Sequence, residues 1–416
     1  MSETTTFLEQ QYEELRGKGL ALDLTRGKPS PQQLDLSNAL LSLPGILSDG
    51  SADYRDAAGT DLRNYGGPDG LPELRVIFGE LLAVPPAQLL ALGNASLTVM
   101  HDTIVSALLH GVPGGTGPWR DDPDVAFLCP VPGYDRHFAI CEALGIRMIP
   151  VPFVDGRLDL PSIARLVEQD ASIRGMWAVP MYANPTGTTF TREEVEALVS
   201  MPTAAPEFRL FWDNAYAVHH LTDDEPAVID VLAAADAAGN PDRVLIFAST
   251  SKITFPGAGV SFFASSPANV AWHKLHSSVQ TIGPDKINQL RHVRLFENAE
   301  GVRRMMRAHR AIIEPRFATV LTILAGRLSS VATWTTPTGG YFISLDVPAG
   351  IASQAVSLAG AVGVAVTPAG SSFPYRTDPN DSNIRIAPTF PSLKDLEAAI
   401  EALCTCVLLA VERATA

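Results

Sequence analysis

Apolar runs alternate with helical patterns through the middle of the chain, and this alternation restricts the fold more than any other feature. The first run is "DVAFLCPV" and the last is "VSFFAS"; between them lie "GIRMIPVPF", "RGMWAVPMY", "FRLFWDNA" and "RVLIFAST". Strands that alternate with helices form a largely parallel sheet, and ligands of such sheets bind at the carboxyl ends of the strands. We therefore expect an α/β fold in which side chains that follow the strands form the functional site.

The pattern changes after about Pro284. A long basic helical stretch from Lys286 leads to "TPTGGYFISLDV" and to a closing helix from Ser392, which is typical of a connecting helix followed by a smaller α+β domain. The sequence predicts three parts: an N-terminal segment, residues 1–50, that packs with the small domain; a large domain, residues 51–290; and the connecting helix with the small domain, residues 291–416.

Composition argues against several classes of function. The 416 residues carry a net charge of −14, which disfavours binding to nucleic acid or to an anionic membrane surface. The N-terminus is polar, and no apolar run is long enough to span a bilayer. The four cysteines are too few and too irregularly spaced for a disulfide framework or a zinc site. We expect a cytoplasmic protein without metal, membrane or nucleic-acid partners.

The stretch "FASTSKITFPGAG" places Lys252 directly behind Ser249, Thr250 and Ser251, at the end of an apolar run. A lysine close to the end of a buried strand loses hydration, which lowers its pKa and makes the amine a nucleophile. The neighbouring hydroxyls can bind a phosphate. The stretch alone fits either a lysine that holds pyridoxal phosphate (PLP) as a Schiff base or a surface lysine beside an ordinary loop.

Other strands of the predicted sheet end in polar residues. In "RLFWDNAYAVHH" an apolar run ends at Asp213, and Tyr216 follows three residues later. In "AVPMYANPTG" another apolar run is followed by Asn184, the first residue of a turn sequence. Burying a carboxylate at the end of a strand costs free energy unless a cation or a hydrogen-bond donor pairs with it. A protonated pyridine nitrogen would be such a donor.

Three further motifs can bind parts of a phosphorylated aromatic cofactor or of its substrate. The strand-turn-helix around Gly93 to Thr98 offers backbone amides at a helix N-terminus, which suit a phosphate. In "CPVPGYDRHFAI" Tyr134 follows a strand and can stack on an aromatic ring. In "DSNIRIAPTF" Arg385 lies on a short strand of the small domain, where its guanidinium can grip a carboxylate.

In this order the motifs resemble those of the fold-type I, class I PLP-dependent aminotransferases, from "TRGKPS" near the N-terminus to Arg385. More specifically, "TRGKPSPQQLDLS", "GNASLTVMHD", "STSKITFPGAG" and "TIGPDKINQLRHVR" resemble the aspartate aminotransferases of subgroup Ic. That subgroup is often labelled MocR-type, after regulators that carry a related domain.

The resemblance implies a role for each residue around the cofactor ring. Lys252 would form the Schiff base and shuttle the proton of the substrate, and Asp213 would keep the pyridine nitrogen protonated. Asn184 and Tyr216 would hydrogen-bond the ring hydroxyl, and Tyr134 would stack on the ring. His137 matches a family histidine that supports the aspartate, although its position also fits an ordinary loop histidine.

The resemblance also implies how the phosphate and the substrate are held. Arg385 would bind the substrate α-carboxylate, with the backbone near Gly27 closing over it, in a homodimer with shared active sites. The phosphate would be bound by amides and hydroxyls of one chain and by a tyrosine of the neighbouring chain: Ala95, Ser96, Ser249, Ser251 and Tyr65.

One position departs from the family pattern. Many relatives carry an arginine that pairs with the phosphate where this chain has Gly259, in "KITFPGAGV". We expect another cation to pair with the phosphate instead, with Lys286 as the candidate. A second substrate carboxylate also needs a cation, for which Lys286, Arg26 and Arg136 are candidates.

The resemblance favours transamination between L-aspartate and 2-oxoglutarate, which gives oxaloacetate and glutamate. Transamination of an aromatic substrate such as kynurenine, or β-elimination with the same cofactor, stays open. A third reading, the sensor domain of a MocR-like regulator, needs a DNA-binding module ahead of "TRGKPS", and the sequence leaves no room for one there.

Overall fold

The computed structural model describes residues 3–415. Its strands are β1 (Leu22–Asp23), β2 (Leu89–Ala91), β3 (Ala126–Val131), β4 (Arg147–Val154), β5 (Arg157–Leu158), β6 (Ile173–Ala178), β7 (Arg209–Asp213), β8 (Val244–Ser249), β9 (Ser261–Ala264), β10 (Thr333–Trp334), β11 (Ile343–Asp346), β12 (Val364–Ala365) and β13 (Asn383–Ile386).

The α-helices are α1 (Glu3–Gly17), α2 (Pro31–Asp35), α3 (Pro72–Leu82), α4 (Ser96–His110), α5 (Asp135–Ala143), α6 (Leu160–Gln169), α7 (Arg192–Ser200), α8 (Val231–Ala237), α9 (Pro267–Ser277), α10 (Lys286–Phe296), α11 (Ala299–Leu328), α12 (Ala352–Ala361) and α13 (Leu393–Thr415). Short 3₁₀ helices occupy Asn38–Leu41, Pro86–Gln88, Trp119–Asp121, Pro256–Ala258 and Pro374–Arg376.

The main sheet has eight strands in the order β2-β9-β8-β7-β6-β3-β4-β5. The neighbours from β8 to β4 pair in parallel, whereas β2, β9 and β5 pair with their neighbours antiparallel. The predicted α/β fold is confirmed, and the sheet is mixed at both edges. The parallel strands place the ends of β3, β6, β7 and β8 along one side of the sheet, which is where the motif residues lie.

The central strands are buried on both faces, which explains their continuous apolar sequence. Because successive side chains point to opposite faces, Trp212 and Ile246 join one hydrophobic cluster while Phe211 and Phe247 join another. The two clusters fix the register of β7 against β8 and therefore fix where each strand ends.

The stretch predicted as one connecting helix forms two helices, α10 and α11. The chain turns at Glu297, whose φ is +63°, and Asn298 caps α11 by accepting a hydrogen bond from the Gly301 amide. A Cβ on Gly301 would overlap the carbonyl of Phe296, so the tight turn requires glycine there. The sequence carries a local signal for this break, because Asn298 is a residue type favoured at helix N-caps and Gly301 follows three residues later.

The C-terminal part contains a three-stranded antiparallel sheet in the order β10-β11-β13. The N-terminal segment contacts the C-terminal part through β1, which pairs in parallel with β12 in a separate two-stranded sheet. The three-part division with boundaries at residues 50 and 290 stays a prediction. Among residues 3–415, no helix is long and apolar enough to cross a membrane.

Candidate active site

A cavity of about 490 Å³ lies where the predicted motifs meet. Its walls come from the N-terminal segment, from the ends of the parallel strands and from the C-terminal part. The lining residues are Thr25, Arg26, Gly27, Lys28, Tyr134, Asp135, Arg136, Asn184, Tyr216, Lys252, Phe342, Thr367, Pro368, Ser371 and Arg385. The fold thus collects residues from distant parts of the sequence into one site.

Asp213 ends β7 and is almost completely buried. The Nε2–H of His137 donates a hydrogen bond of 3.0 Å to its Oδ2, and the His137 ring stacks on Trp177 with centroids 4.1 Å apart. His137 lies in α5 and is buried, so it supports the aspartate and is not an ordinary loop histidine. Within residues 3–415, the other carboxylate oxygen, Oδ1, has no hydrogen-bond partner. A buried, unpaired carboxylate oxygen fits a cationic N–H donor such as a protonated pyridine nitrogen.

Lys252 follows β8 and reaches the cavity. Its Nζ lies 4.9 Å from the ring centroid of Tyr216, which is itself buried. Burial lowers the pKa of Lys252, and the Asp213 carboxylate opposes that shift. Burial also raises the pKa of Tyr216 well above its usual range and that of Tyr134 to about 12. The phenols therefore stay protonated while the amine is easier to deprotonate than an exposed lysine.

The hydroxyl-rich end of β8 lies beside the turn that begins α4. Ser249 pairs with Ser261, and both the amide and the hydroxyl of Ser261 donate to the Gly93 carbonyl, at 2.6 and 2.7 Å. Ser249 Oγ also lies 3.1 Å from Ser251 Oγ. Ala95 is the N-cap of α4 and Ser96 its first residue. Hydroxyl groups and the amides of a helix N-terminus are the groups that bind phosphate in proteins, and both are present here.

A side chain at position 259 would be close to its neighbours. A Cβ built on Gly259 would lie 3.0 Å from Thr250 Oγ1 and 3.4 Å from the carbonyl oxygen of Asn94. Thr250 is completely buried and its hydroxyl accepts a hydrogen bond from the Val260 amide. The crowding comes from groups that cannot move freely.

Arg385 lies on β13 and is held from several sides. Its Nη1 donates to Asp135 Oδ1 at 2.9 Å and lies 3.5 Å from Asn184 Oδ1, while Nη2 donates to the Thr367 hydroxyl at 3.3 Å. The guanidinium also lies over the Phe342 ring, 5.1 Å from its centroid. Within the described chain its Nε has no hydrogen-bond partner, so this buried fork has a donor left for a ligand carboxylate.

One wall of the cavity is formed by "TRGK", residues 25–28. A Cβ on Gly27 would overlap the Phe342 ring, with Cε1 only 3.0 Å away, so the backbone approaches the ring as closely as it does because residue 27 is glycine. Arg26 and Arg136 line the same cavity. Neither guanidinium makes a hydrogen bond to another residue between positions 3 and 415.

Tyr65 and Lys286 lie together but outside the cavity lining. Tyr65 is 79% exposed, and the Lys286 side chain packs against the adjacent Gly66, where a Cβ would lie 2.8 Å from Lys286 Cε. The Lys286 amine lies 3.4 Å from the carbonyl oxygen of Pro284. Within one chain, therefore, neither residue reaches the cavity.

The sequence reasoning missed several lining residues: Thr25, Lys28, Asp135, Phe342, Thr367, Pro368 and Ser371. Asp135 had a usable signal, because it follows Tyr134 at the start of α5 and faces the predicted Arg385. Thr25 and Lys28 lie within the motif "TRGKPS" but were given no role individually, and Phe342, Thr367, Pro368 and Ser371 lie outside regular strands and helices.

The arginine run "EGVRRMMRAHR" lies on α11, where Arg303, Arg307 and Arg310 line a second cavity of about 290 Å³. They form ion pairs with acidic residues, including Glu80, Glu300 and Asp223. Because acids compensate these arginines, this cavity does not present an anion site.

The fold and the site are those of an aminotransferase, and comparison with known proteins agrees. A family model described as aspartate amino-transferase matches residues 1–416. A Corynebacterium glutamicum aspartate aminotransferase is 49% identical over 405 residues, which are 97% of this chain and 92% of that protein. A Mycolicibacterium smegmatis protein, named only at the level of an aminotransferase, is 59% identical over 408 residues, or 98% of this chain and 95% of its own.

A solved structure of an aspartate transaminase from C. glutamicum superposes with a TM-score of 0.96 at 48% identity, covering 99% of this chain and 96% of that one. The chain therefore belongs to the aspartate amino-transferase family. The α-aminoadipate aminotransferase LysN of Thermus thermophilus, solved with N-(5'-phosphopyridoxyl)-L-leucine, shares the fold with a TM-score of 0.74 at 18% identity, covering 99% of this chain and 98% of that one.

Proposed function

We propose that this aminotransferase uses PLP to transfer the amino group of L-aspartate to 2-oxoglutarate, which gives oxaloacetate and glutamate. The observation that carries the proposal is that Lys252 and Arg385 open into one cavity, next to a buried carboxylate with an unpaired oxygen. Bound PLP supplies an electron sink for the charge that develops at the substrate Cα. The C. glutamicum aspartate aminotransferase, similar along nearly the whole chain, supports the choice of substrate.

The chain's own residues have distinct tasks in this proposal. Asp213 offers Oδ1 to the cationic ring nitrogen, and His137 fixes the orientation of that carboxylate through its bond to Oδ2. Asn184 and Tyr216 offer hydrogen bonds to the ring hydroxyl from the cavity wall. Lys252, whose pKa is lowered by burial, takes up and returns the proton at the substrate Cα.

Arg385 would bind the α-carboxylate, and its unpaired Nε supports that role. The second carboxylate of aspartate would meet Arg26 or Arg136, which line the cavity of the same chain. A charge-assisted bond to a buried carboxylate contributes about 1.5–3 kcal/mol, or roughly ten- to a hundredfold in discrimination.

The test is a panel of amino donors assayed with 2-oxoglutarate. Aspartate and glutamate should exceed leucine, alanine and phenylalanine in kcat/KM by roughly tenfold or more. Arg26→Gln or Arg136→Gln should remove most of that preference and spare the monocarboxylic donors. Arg304→Gln, at an exposed position outside the cavity, is the matched control.

If phenylalanine or kynurenine reacts as well as aspartate, the proposed specificity for dicarboxylic amino acids is wrong, and the assignment is limited to aminotransferase activity. If no donor reacts, the proposed function as a whole is wrong.

We also propose that the protein is a homodimer with shared active sites, in which Tyr65 and Lys286 serve the partner's site. The exposure of Tyr65 supports this, as do the exposed apolar side chains of Leu275, Val279 and Ile282. Sedimentation at assay concentration should give twice the mass of the chain. A catalytically competent monomer would contradict the proposal.

A further inference from the structure

A buried glutamine lies at the centre of a hydrogen-bond network next to Lys252. Gln33 belongs to α2, His309 to α11, and Tyr341 lies just before β11, so three distant parts of the sequence contribute. Their exposed fractions are 0%, 1% and 1%. None of the three lines the cavity or has a role in the function proposed above.

The orientation of the Gln33 amide follows from its neighbours. Its Oε1 lies 3.0 Å from the backbone nitrogen of Ser30, which can only donate, so the amide oxygen must face Ser30. The Ser30 hydroxyl approaches the same oxygen at 3.3 Å. The amide nitrogen therefore faces the other way, and it lies 3.0 Å from His309 Nδ1 and 2.9 Å from Tyr341 Oη.

The remaining protons are then determined. Because His309 Nδ1 accepts from Gln33, the ring proton is on Nε2, which donates to the carbonyl of Ile253 at 3.0 Å. Because the Tyr341 oxygen accepts from Gln33, its own hydrogen points to the carbonyl of Lys252, at 3.3 Å. The hydrogen-bonding positions of the amide are all used, and the network ends on two successive carbonyls, those of Lys252 and Ile253.

A fully satisfied buried network rigidifies the elements that it joins. Burial lowers the pKa of His309 to about 4, so at neutral pH the ring is in the neutral form that can accept from Gln33. On the other side, Ser30 caps α2 directly after the cavity-lining segment Thr25–Lys28. Phe342, next to Tyr341, is the ring against which Gly27 packs.

We infer that Gln33 and Tyr341 are positioning residues, which hold the main chain of Lys252 in place relative to the substrate-binding segment Thr25–Lys28. The network connects the reactive amine on one side of the cavity with the carboxylate-binding wall on the other. The inference rests on the proposed function in taking Lys252 as the reactive amine and Thr25–Lys28 as a substrate-binding segment.

Two variants test the role. Tyr341→Phe removes only the hydroxyl, and Gln33→Met keeps approximately the size of the side chain but loses the amide. Each should lower kcat by about tenfold, because small displacements of a reacting group are costly. The double variant should lose little more than the worse single variant, since residues in one network are not additive.

Tyr12→Phe is the matched control. The Tyr12 side chain is also largely buried, and its hydroxyl donates to a carbonyl at the same distance of 3.3 Å, that of Leu358, away from the cavity. Tyr12→Phe should lower the free energy of unfolding by an amount similar to that of Tyr341→Phe, but it should leave kcat unchanged.

A second measurement does not depend on turnover. PLP is first removed from the full-length protein by dialysis against a competing amine such as cysteine. The protein is then labelled with an amine-reactive reagent over a pH series, and the labelling of Lys252 is followed by mass spectrometry. A loosened main chain admits water to the amine, so the pKa of Lys252 should rise in Tyr341→Phe and Gln33→Met but not in Tyr12→Phe.

The inference is overturned if the pKa of Lys252 is the same in both network variants as in the wild type, or if Tyr12→Phe loses as much kcat. If the wild type has no aminotransferase activity, the proposed function fails, while the labelling experiment still decides whether the network positions Lys252.

Discussion

Asp213 is a buried carboxylate at the end of β7, and its two oxygens have different surroundings. The carboxylate costs free energy where it is buried, and the structure compensates only one of its oxygens, through His137. Within residues 3–415 the other oxygen, Oδ1, has no partner, so a positively charged ligand atom next to it would offset the cost of its burial. The sequence predicted Asp213 because a carboxylate at the end of an apolar strand is costly, and it left the role of His137 open because spacing alone cannot show a contact across 76 residues.

Asp213→Asn tests this requirement. Asparagine keeps the shape and can still accept from His137, but it carries no charge to match a cationic ring nitrogen. We expect kcat to fall by about a hundredfold or more, as when a preorganised electrostatic group is removed. The control is Asp53→Asn, which removes a buried carboxylate that pairs with Arg294 away from the cavity and should retain kcat. Near-normal turnover in Asp213→Asn would contradict the assigned role.

Elements differ in how well the sequence predicts them. The strands β3, β4, β6, β7, β8 and β9 match the apolar runs. Burial on both faces explains this for the central strands, whereas β4, nearer the edge of the sheet, has several half-buried or exposed residues. The break between α10 and α11 was missed although Asn298 is a typical helix N-cap residue; its sharpness depends on the backbone at Glu297 and on the close approach of Gly301 to Phe296, which the sequence does not show. The Gln33 network was missed for a similar reason: its members are far apart in sequence, and a lone buried glutamine has no periodic signature.

Gly27→Ala tests how the N-terminal segment contributes to the site. The added methyl would overlap the Phe342 ring, so the segment must move away from the cavity wall. We expect KM for aspartate to rise by about tenfold, because binding groups on that segment are displaced. Gly326→Ala is the control: nothing lies within 4 Å of its added methyl, and alanine in a helix interior stabilises by about 0.5–1 kcal/mol over glycine. An unchanged KM in Gly27→Ala would show that the segment does not form the substrate wall.

At the scale of the whole molecule, buried histidines make stability depend on pH. Burial lowers the pKa of His273 and of His309 to about 4 in the folded protein, against 6.5 for an exposed histidine. The unfolded chain therefore binds more protons than the folded chain between about pH 6.5 and pH 4. Stability rises with pH across that window and is lost as the pH falls through it, by roughly 3 kcal/mol for each histidine.

Denaturant unfolding at a series of pH values between 7 and 4 should show this loss. His219, His220, His276 and His292 also have lowered pKa values because they are buried, so His273→Gln removes one of several titrating groups and should reduce the stability lost between pH 7 and pH 4 by roughly 3 kcal/mol. His273 suits the test because it lies on α9, away from the Lys252 network. A variant with the wild-type pH profile would show that His273 does not stay neutral in the fold.

The central claim is that Lys252 is the residue that holds PLP. The most direct measurement is borohydride reduction of the purified, PLP-loaded protein followed by peptide mass spectrometry. The burial of Lys252, its lowered pKa and its place beside Tyr216 predict that the reduced adduct is on Lys252, and Lys252→Ala should carry none. An adduct on another lysine, or turnover retained in Lys252→Ala, would contradict the account.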